Sequence, residues 1–384
     1  MSNDTFLTKA KHAFKVSAEW TKNTYQTVVD FLKSDKLKKI VFGHSAAKGI
    51  IGKLAVYALL IGISYVFLFP ILRMISMSFM TRADLLDPEV SWIPARLSFS
   101  NFIVSNRVLG LLPPSLIAEG LSFSERIGGI FTNPGNLFKS IRNVFILASI
   151  QTIITAFAGF AFARFNFKFK NFWFTMVLLS FIIPLPMVTI PRIMLISNLQ
   201  DKVWIPIFET LFMDTFLDGI IKRTLFQTLY PQVILALFGQ GINSAILILI
   251  FYNFFKMIPV SLDEAARVDG AKSLQVFWYI YVKLVVPIII IVFLFAFIWN
   301  WNDIYTATIF FNSGNPLIVS RLALFDSQFA GQAGSNPDDA GIALINEGYK
   351  SAATFLSILP LLILYLLAQR KFIEGIERTG MTGE

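Results

Sequence analysis

The chain has no cysteine. Disulfides, zinc–thiolate sites and cysteine nucleophiles are therefore excluded. The two histidines, His12 and His44, both stand near the N-terminus. None is left further along for a metal cluster, a catalytic triad or a proton relay. Charge is also scarce, with 15% of the 384 residues being Asp, Glu, Lys or Arg. The segment "GHSAAKGIIGK" (43–53) places Lys48 before Gly49, and no Gly-Lys-Ser/Thr follows, so it does not supply the backbone cradle of a phosphate loop. No segment has the shape of a cleaved signal peptide, because the first apolar run begins near residue 54 and is long.

What is abundant is apolar surface. Hydrophobic residues make up 55% of the chain and mean hydropathy is +0.65. About 20 apolar residues are needed to cross the hydrocarbon core as a helix. Residues 54–79, 143–162, 172–196, 229–255, 284–302 and 351–368 approach or exceed that length. In lipid only helices and closed barrels satisfy their own backbone, and continuous rather than alternating apolar runs exclude a barrel. The fold class expected is an all-α integral membrane protein of six transmembrane helices.

The net charge of +9 would suggest nucleic acid in a soluble protein, but its distribution points to a bilayer. With the N-terminus taken as cytoplasmic, the inner segments 1–53, 163–171, 256–283 and 369–384 hold 20 Lys/Arg in 106 residues. The outer segments 80–140, 197–228 and 303–350 hold 10 in 141. This positive-inside bias sets both termini in the cytoplasm of a multi-pass cell-membrane protein. The short stretch Arg164, Lys168, Lys170 weighs most, since long loops follow the rule poorly. Residues 1–53 form a basic arm, either an amphipathic helix on anionic headgroups or a solvated tail. After the first span (54–79), the outer loop 80–140 carries five prolines and is expected to be irregular or broken into short helices. The run 172–196 contains Pro184, Pro186 and Pro191, which remove donors and force a bend or break.

The informative segment is "IPVSLDEAARVDGAKSLQVFWYIYVKLVVP" (258–287). Pro259 ends the preceding helix. Ser261 and Glu264 read as a capping box starting a new one, Gly270 as the left-handed residue that ends it, and Ser273 as the cap of the next. Ala265 and Ala266 leave a small, smooth face that suits a groove on a partner.

"EAARVDGA", followed by Phe277, Ile280 and Pro287, resembles the EAA loop of binding-protein-dependent ABC importer permeases. Its Asp-Gly-Ala variant is similar to the carbohydrate-uptake subfamily, of which the second permease of maltose-type systems is the type. "MSFM", "SWIPARLSFSNF" (91–102), Asn143, Pro184 with Pro191, "WNWNDIY" (299–305) and "QRKFIEGIERTGMTGE" also resemble that family. The likeness covers roughly residues 54–106 and 137–384. It implies a type I ABC importer permease fold, with a core over 141–370 and a cytoplasmic tail over 371–384. It also implies a sugar or oligosaccharide as cargo and a heterodimer with a second permease. ATP-binding subunits would dock on the EAA loop through Glu264, Ala265, Ala266, Asp269, Gly270 and Ala271, and an extracytoplasmic sugar-binding protein would deliver the substrate. The chain itself would be non-catalytic, with no cofactor and no metal. Three departures stand out: Lys283 replaces a usual proline, which softens or shifts the break before the fifth span; residues 200–226 look inserted; and the N-terminal arm is long.

The polar groups available for a translocation path are few. Gln240, Asn243 and Ser244 lie in the fourth run, where the first two are one turn apart and serve either pore lining or interhelical bonding. Trp299, Asn300, Asn302 and Asp303 suit sugar stacking and hydrogen bonding or an interfacial belt ending a helix. Pro184 and Pro191 would bend the third span toward the cavity. Ala156, Gly159 and Ala163 form a small-residue stripe that reads as close helix packing. The alternative function, a secondary transporter or channel, would normally place ionisable groups at mid-membrane. No Asp or Glu stands at the centre of any of these runs.

Overall fold

The computed structural model describes residues 50–118, 120–211, 224–311, 317–333 and 347–380. The basic arm up to residue 49, residues 212–223 of the expected insertion and the last four residues lie outside them. Every regular element among the described residues is helical. The chain divides into two units, Met1–Arg73 and Met74–Glu384. The division falls inside the first helix, α1 (Ile50–Phe79), which keeps Pro70 in its interior.

The outer loop is broken into short helices, as its prolines require. They include α2 (Ser100–Leu109) and α3 (Phe123–Thr132). The Asn101 amide of α2 donates to the carbonyls of Ser78 (3.0 Å) and Met80 (2.8 Å), tying α2 to the chain leaving α1.

The long helix α4 (Asn136–Arg164) organises the larger unit. Its buried positions are 140, 143, 144, 147, 148, 151, 152, 155, 156, 159 and 160, alternating steps of three and one that trace one face of an α-helix. That face holds Ser140, Asn143, Gln151, Thr152 and Thr155, while Phe145 and Ile153 point outward. Small and polar side chains inside with bulky apolar ones outside is the arrangement expected where the solvent is lipid. A Cβ on Gly159 would meet Phe251 Cβ at 2.5 Å and Tyr252 N at 3.0 Å, so the small-residue stripe is a close-packing surface.

Three apolar helix pairs among the described residues are sharply bent at a short break. The first joins α5 (Lys170–Ile182) to α6 (Leu185–Leu199) and its continuation to Leu211 at 110°. The break falls at Ile183, held extended by Pro184 (ψ 122°). Pro191 lies inside unbroken α6, so one proline of the expected pair makes the bend. The fourth run, read as one helix, is instead α7 (Tyr230–Leu237) and α8 (Ser244–Met257), parted by six residues. Gly239 (φ 71°) ends α7 in a Schellman turn, with Gln240 N bonded to Leu235 O (2.7 Å) and Gly239 N to Ala236 O. Asn243 (φ 53°) enters α8 from the left-handed region. Gln240 and Asn243 therefore sit on a break, not a turn apart on a helix.

After α8 the chain bends by 72° into α9 (Val260–Val268), and α10 (Ser273–Leu284) meets α11 (Val286–Trp301) at 82°. That second bend falls at Val285, beyond Lys283. It is shifted relative to the missing proline but not softened, and Pro287 sits in the first turn of α11, where its absent N–H has no helical partner to lose. The last long helix is α12 (Glu347–Gly380), which packs on α11 and α2. Among the described residues three helices are long and apolar enough to cross a membrane, and up to six spans result if each bent pair counts as one.

Candidate functional site

Two polar constructions stand at opposite ends of α8. At its C-terminus the last carbonyls have no intrahelical partner, which is costly in apolar surroundings. Arg164, the final residue of α4, meets them. Its Nη2 donates to Phe255 O (2.5 Å) and to Ile258 O, and the guanidinium lies 4.9 Å over the Tyr281 ring. Around it Phe160 packs on Phe277 and Tyr281 at centroid distances of 4.9 Å each and on Phe255 at 5.6 Å. Phe157 stacks on Phe277 at 4.7 Å. The ends of α4 and α8 and the middle of α10 thus share one buried cluster.

Helix α9 hangs from that cluster. The expected capping box is not formed: Pro259 takes the N-cap position and no side chain caps the helix, so Ser261 and Glu264 are both inside it. The proline sets the entry geometry that a serine cap would otherwise provide. Ser273 likewise stands inside the next helix, whose N-cap is Lys272, with Gln275 Oε1 accepting the Lys272 N–H at 2.7 Å. Gly270 does occupy the left-handed position (φ 83°). Ala271 N bonds to Ala266 O at 2.9 Å and Gly270 N to Arg267 O at 3.0 Å, which closes a second Schellman turn.

The outward face of α9 is Ser261, Glu264, Ala265 and Val268, spaced i, i+3, i+4, i+7 and exposed. Val268 is 87% exposed. Ala266 and Ala271 turn inward onto the core, so the smooth face rests on Ala265 and not on both alanines of the motif. Asp269 is exposed at the helix end. Asp263 pairs with Arg267 (3.4 Å), whereas the Glu264 carboxylate has no hydrogen bond or ion pair among the described residues.

At the N-terminus of α8 the break is held by Gln151 of α4, which is buried at 1% exposure. Its Nε2 donates to Ile242 O (2.5 Å) and Ser244 Oγ (3.1 Å), and its Oε1 accepts from Asn300 Nδ2 (2.9 Å). Asn300 also donates to Ala296 O (2.7 Å). One glutamine thereby ties α4, the α7–α8 break and α11. Gly241 leaves room beside it: a Cβ there would stand 2.9 Å from Gln151 Cδ and would press on the amide's present position.

A cavity of about 270 Å³ separates this break from the α5–α6 bend. Its lining includes Pro184, Arg192, Gln240, Asn243 and Ser244. A second cavity of about 20 Å³, room for one water, is bordered by Arg192, Gln232, Gln240, Asn300, Asp303 and Thr306. Arg192 Nη2 donates to the backbone and side-chain oxygens of Gln240 at 3.3 Å each. Asp303 Oδ1 accepts from Thr306 N (3.0 Å) and Oγ1 (2.9 Å), starting the helix Tyr305–Phe311. Asp303 Oδ2 and Gln232 Oε1 are buried without a partner.

Of the residues expected to line a path, Pro184, Gln240, Asn243 and Ser244 share the larger cavity, and Asn300 and Asp303 join Gln240 at the smaller. Three do not. Pro191 lines neither of these two cavities. Trp299 stacks on Phe295 at 5.5 Å. Asn302 faces outward and bonds Ile298 O (3.0 Å). Sequence reasoning missed Gln151, although a polar side chain in the middle of an apolar run was itself the signal. It also missed Gln232 and Arg192 as site residues, and it read Arg164 only as part of the inner basic stretch.

Residues 143–378 match the family described as "Binding-protein-dependent transport system inner membrane component". The chain belongs to that family. Its members are the non-catalytic membrane-spanning subunits of ABC importers, which work with a further permease, ATP-binding subunits and a binding protein. This permease is similar to the lactose transport system permease protein LacG of Rhizobium radiobacter, at 24% identity over 68% of this chain and 81% of that protein. It is similar to the arabinooligosaccharides transport system permease protein AraQ of Halalkalibacterium halodurans, at 24% identity over 84% and 93%. A crystal structure of a bacterial ABC transporter involved in import of the acidic polysaccharide alginate shares the fold, with TM-score 0.57 and 20% identity over 83% of this chain and 95% of that one. Family and fold favour the ATP-driven importer over the secondary transporter or channel.

The Gln151 bonds predict a measurable coupling in the permease. Replacing Gln151 by Leu strands the Ile242 carbonyl and one end of the Asn300 amide, at a cost of about 1–3 kcal/mol. Thermal unfolding in detergent, followed by tryptophan fluorescence, should show the Gln151→Leu/Asn300→Leu double variant destabilised by less than the sum of the two singles. Strict additivity would mean the two amides do not depend on each other.

Proposed function

We propose that this permease is one of two non-identical membrane subunits of an importer carrying a sugar or oligosaccharide. In this reading α9 docks in a cleft of the ATP-binding subunit and both termini are cytoplasmic. The names of the relatives, with lactose and arabinooligosaccharide permeases among them, support the substrate class. The observation that carries the docking role is the outward face of α9. It presents a small residue, an exposed valine and a carboxylate with no partner of its own, on a helix closed by a Schellman turn and rooted in a buried cluster. Glu264 would meet a basic group of the ATP-binding subunit, and Asp269, Gly270 and Ala271 would fix the turn that carries the movement onward. The cavities beside the α7–α8 break would line the path, with Gln240, Asn243, Ser244, Asn300 and Asp303 offering hydrogen bonds to cargo hydroxyls.

Two experiments test this. A β-branched residue at φ 83° carries a strain of about 1–3 kcal/mol, enough to depopulate the turn by about 5- to 150-fold. Gly270→Val should therefore assemble with its partner subunits yet lose substrate-stimulated ATP hydrolysis; unchanged stimulation and uptake would remove the coupling role. The cysteine-free chain also permits single reporters of sidedness. A membrane-impermeant thiol reagent applied to intact cells should modify a cysteine at Thr132 and spare one at Leu274; modification at Leu274 would reverse the orientation.

A further inference from the structure

The stretch between α2 and α4 lies outside the residues matched to the family, and it has a construction of its own. Its two ends are fastened together at the first turn of α4. Asn136 N bonds to Gly110 O (2.7 Å), Leu137 N to Leu111 O (3.0 Å), and Asn136 Nδ2 to Leu109 O (2.7 Å). Gly135 lies so close that a Cβ would meet Leu111 O at 2.3 Å. Residues 112–134 are thus a closed excursion rooted where a span begins.

Within it α3 is amphipathic. Phe123, Ile127, Ile130 and Phe131 fall on one stripe about 100° wide at helical spacing. Phe123 is 81% and Phe131 82% exposed. The opposite side is consumed internally. Ser122 and Glu125 form a reciprocal capping box. Arg126 donates from Nε to Leu121 O (3.1 Å) and from Nη1 to Leu116 O (3.2 Å), and Ser115 Oγ donates to Arg126 O (3.1 Å). Gly129 lets the segment Pro114–Ile117 lie against the helix, for a Cβ there would meet Ser115 Cβ at 2.2 Å. The Ser122 hydroxyl and backbone hold the Glu125 carboxyl below its usual range, and Glu125 is exposed.

We propose that this excursion is a membrane foot: α3 lies in the lipid interface at the end of α4, with Phe123, Ile127, Ile130 and Phe131 seated at the boundary of headgroups and acyl chains. Three observations select lipid over a protein partner. Only Asn133–Gly135 separate the helix from the span, a tether of about 10 Å fully extended. The span that follows also turns bulky apolar side chains outward near its start, with Phe138 and Phe145 exposed. The directional groups of α3 are already bonded within the excursion, which leaves a surface suited to a non-directional partner. Glu125 and Arg126 cancel in charge, so attachment rests on apolar insertion and does not need the anionic lipid that basic interfacial helices exploit.

The test places a nitroxide on single cysteines at Phe123, Ile127, Phe131, Gly128 and Thr132 of the full-length chain in phosphatidylcholine nanodiscs. Collision rates are measured with oxygen, which concentrates in lipid, and with a water-soluble nickel chelate. Labels at 123, 127 and 131 should favour oxygen at least several-fold over the chelate, and those at 128 and 132 the reverse. Stripe labels as open to the chelate as Thr132 would overturn the foot, as would stripe labels shielded from both probes, which would mean protein contact. Replacing part of the lipid by phosphatidylglycerol should leave the pattern unchanged; lipid contact seen only with anionic lipid would overturn its apolar basis.

Discussion

The Phe255 and Ile258 carbonyls at the end of α8 both accept from Arg164. A helix that stops inside apolar packing exposes acceptors that water cannot reach, and each unmet group is expensive. One guanidinium takes two of them and stands over Tyr281. The consequence is mechanical: the position at which α8 gives way to α9 is set by the last residue of α4, and the aromatic ring beneath belongs to the helix that follows α9. The proposed docking helix is therefore not a loose loop between spans. It is held at both ends by the same buried cluster.

The opposite end of α8 repeats the logic with uncharged groups. A break in a membrane helix survives only where something else satisfies the freed backbone. Gln151 does so, reaching Ile242 O and Ser244 while accepting from Asn300. Because Gln151 and Arg164 stand on one uninterrupted helix, the two ends of α8 are referenced to the same element. A movement of α9 that rotated α8 would act on a break bordered by Arg192, Gln240 and the two cavities. That geometry suits a subunit converting a push at one membrane face into a change in a polar opening deeper in the bilayer.

Much of this was legible in the sequence because several signals were local. Gly270 suited the left-handed region, Pro184 held its predecessor extended, and the Gly159 stripe read most simply as close packing. The failures have physical reasons. Ser261 and Glu264 have capping-box spacing, but Pro259 starts the helix two residues earlier and leaves both inside it. Ala266 reads as equivalent to Ala265, yet one step along a helix is a 100° turn, enough to bury it. The α7–α8 break hid in "FGQGIN" because flanking apolar residues carry the hydropathy across it; the two glycines were the evidence, and Gly241 is explained only by Gln151, which is distant in sequence. Asn300 and Asn302 look alike in "WNWN", but they point to opposite sides of the helix end.

The outward face of α9 is the surface proposed to meet an ATP-binding subunit. Photo-crosslinking from a benzophenone side chain at single positions tests it most directly, in membranes that contain the assembled transporter. An adduct of the permease with an ATP-binding subunit is expected from Ala265 and Val268, and none from Ala266, which faces the core. Absence of that adduct from all of Ser261, Glu264, Ala265 and Val268, or equal yield from Ala266, would contradict that contact.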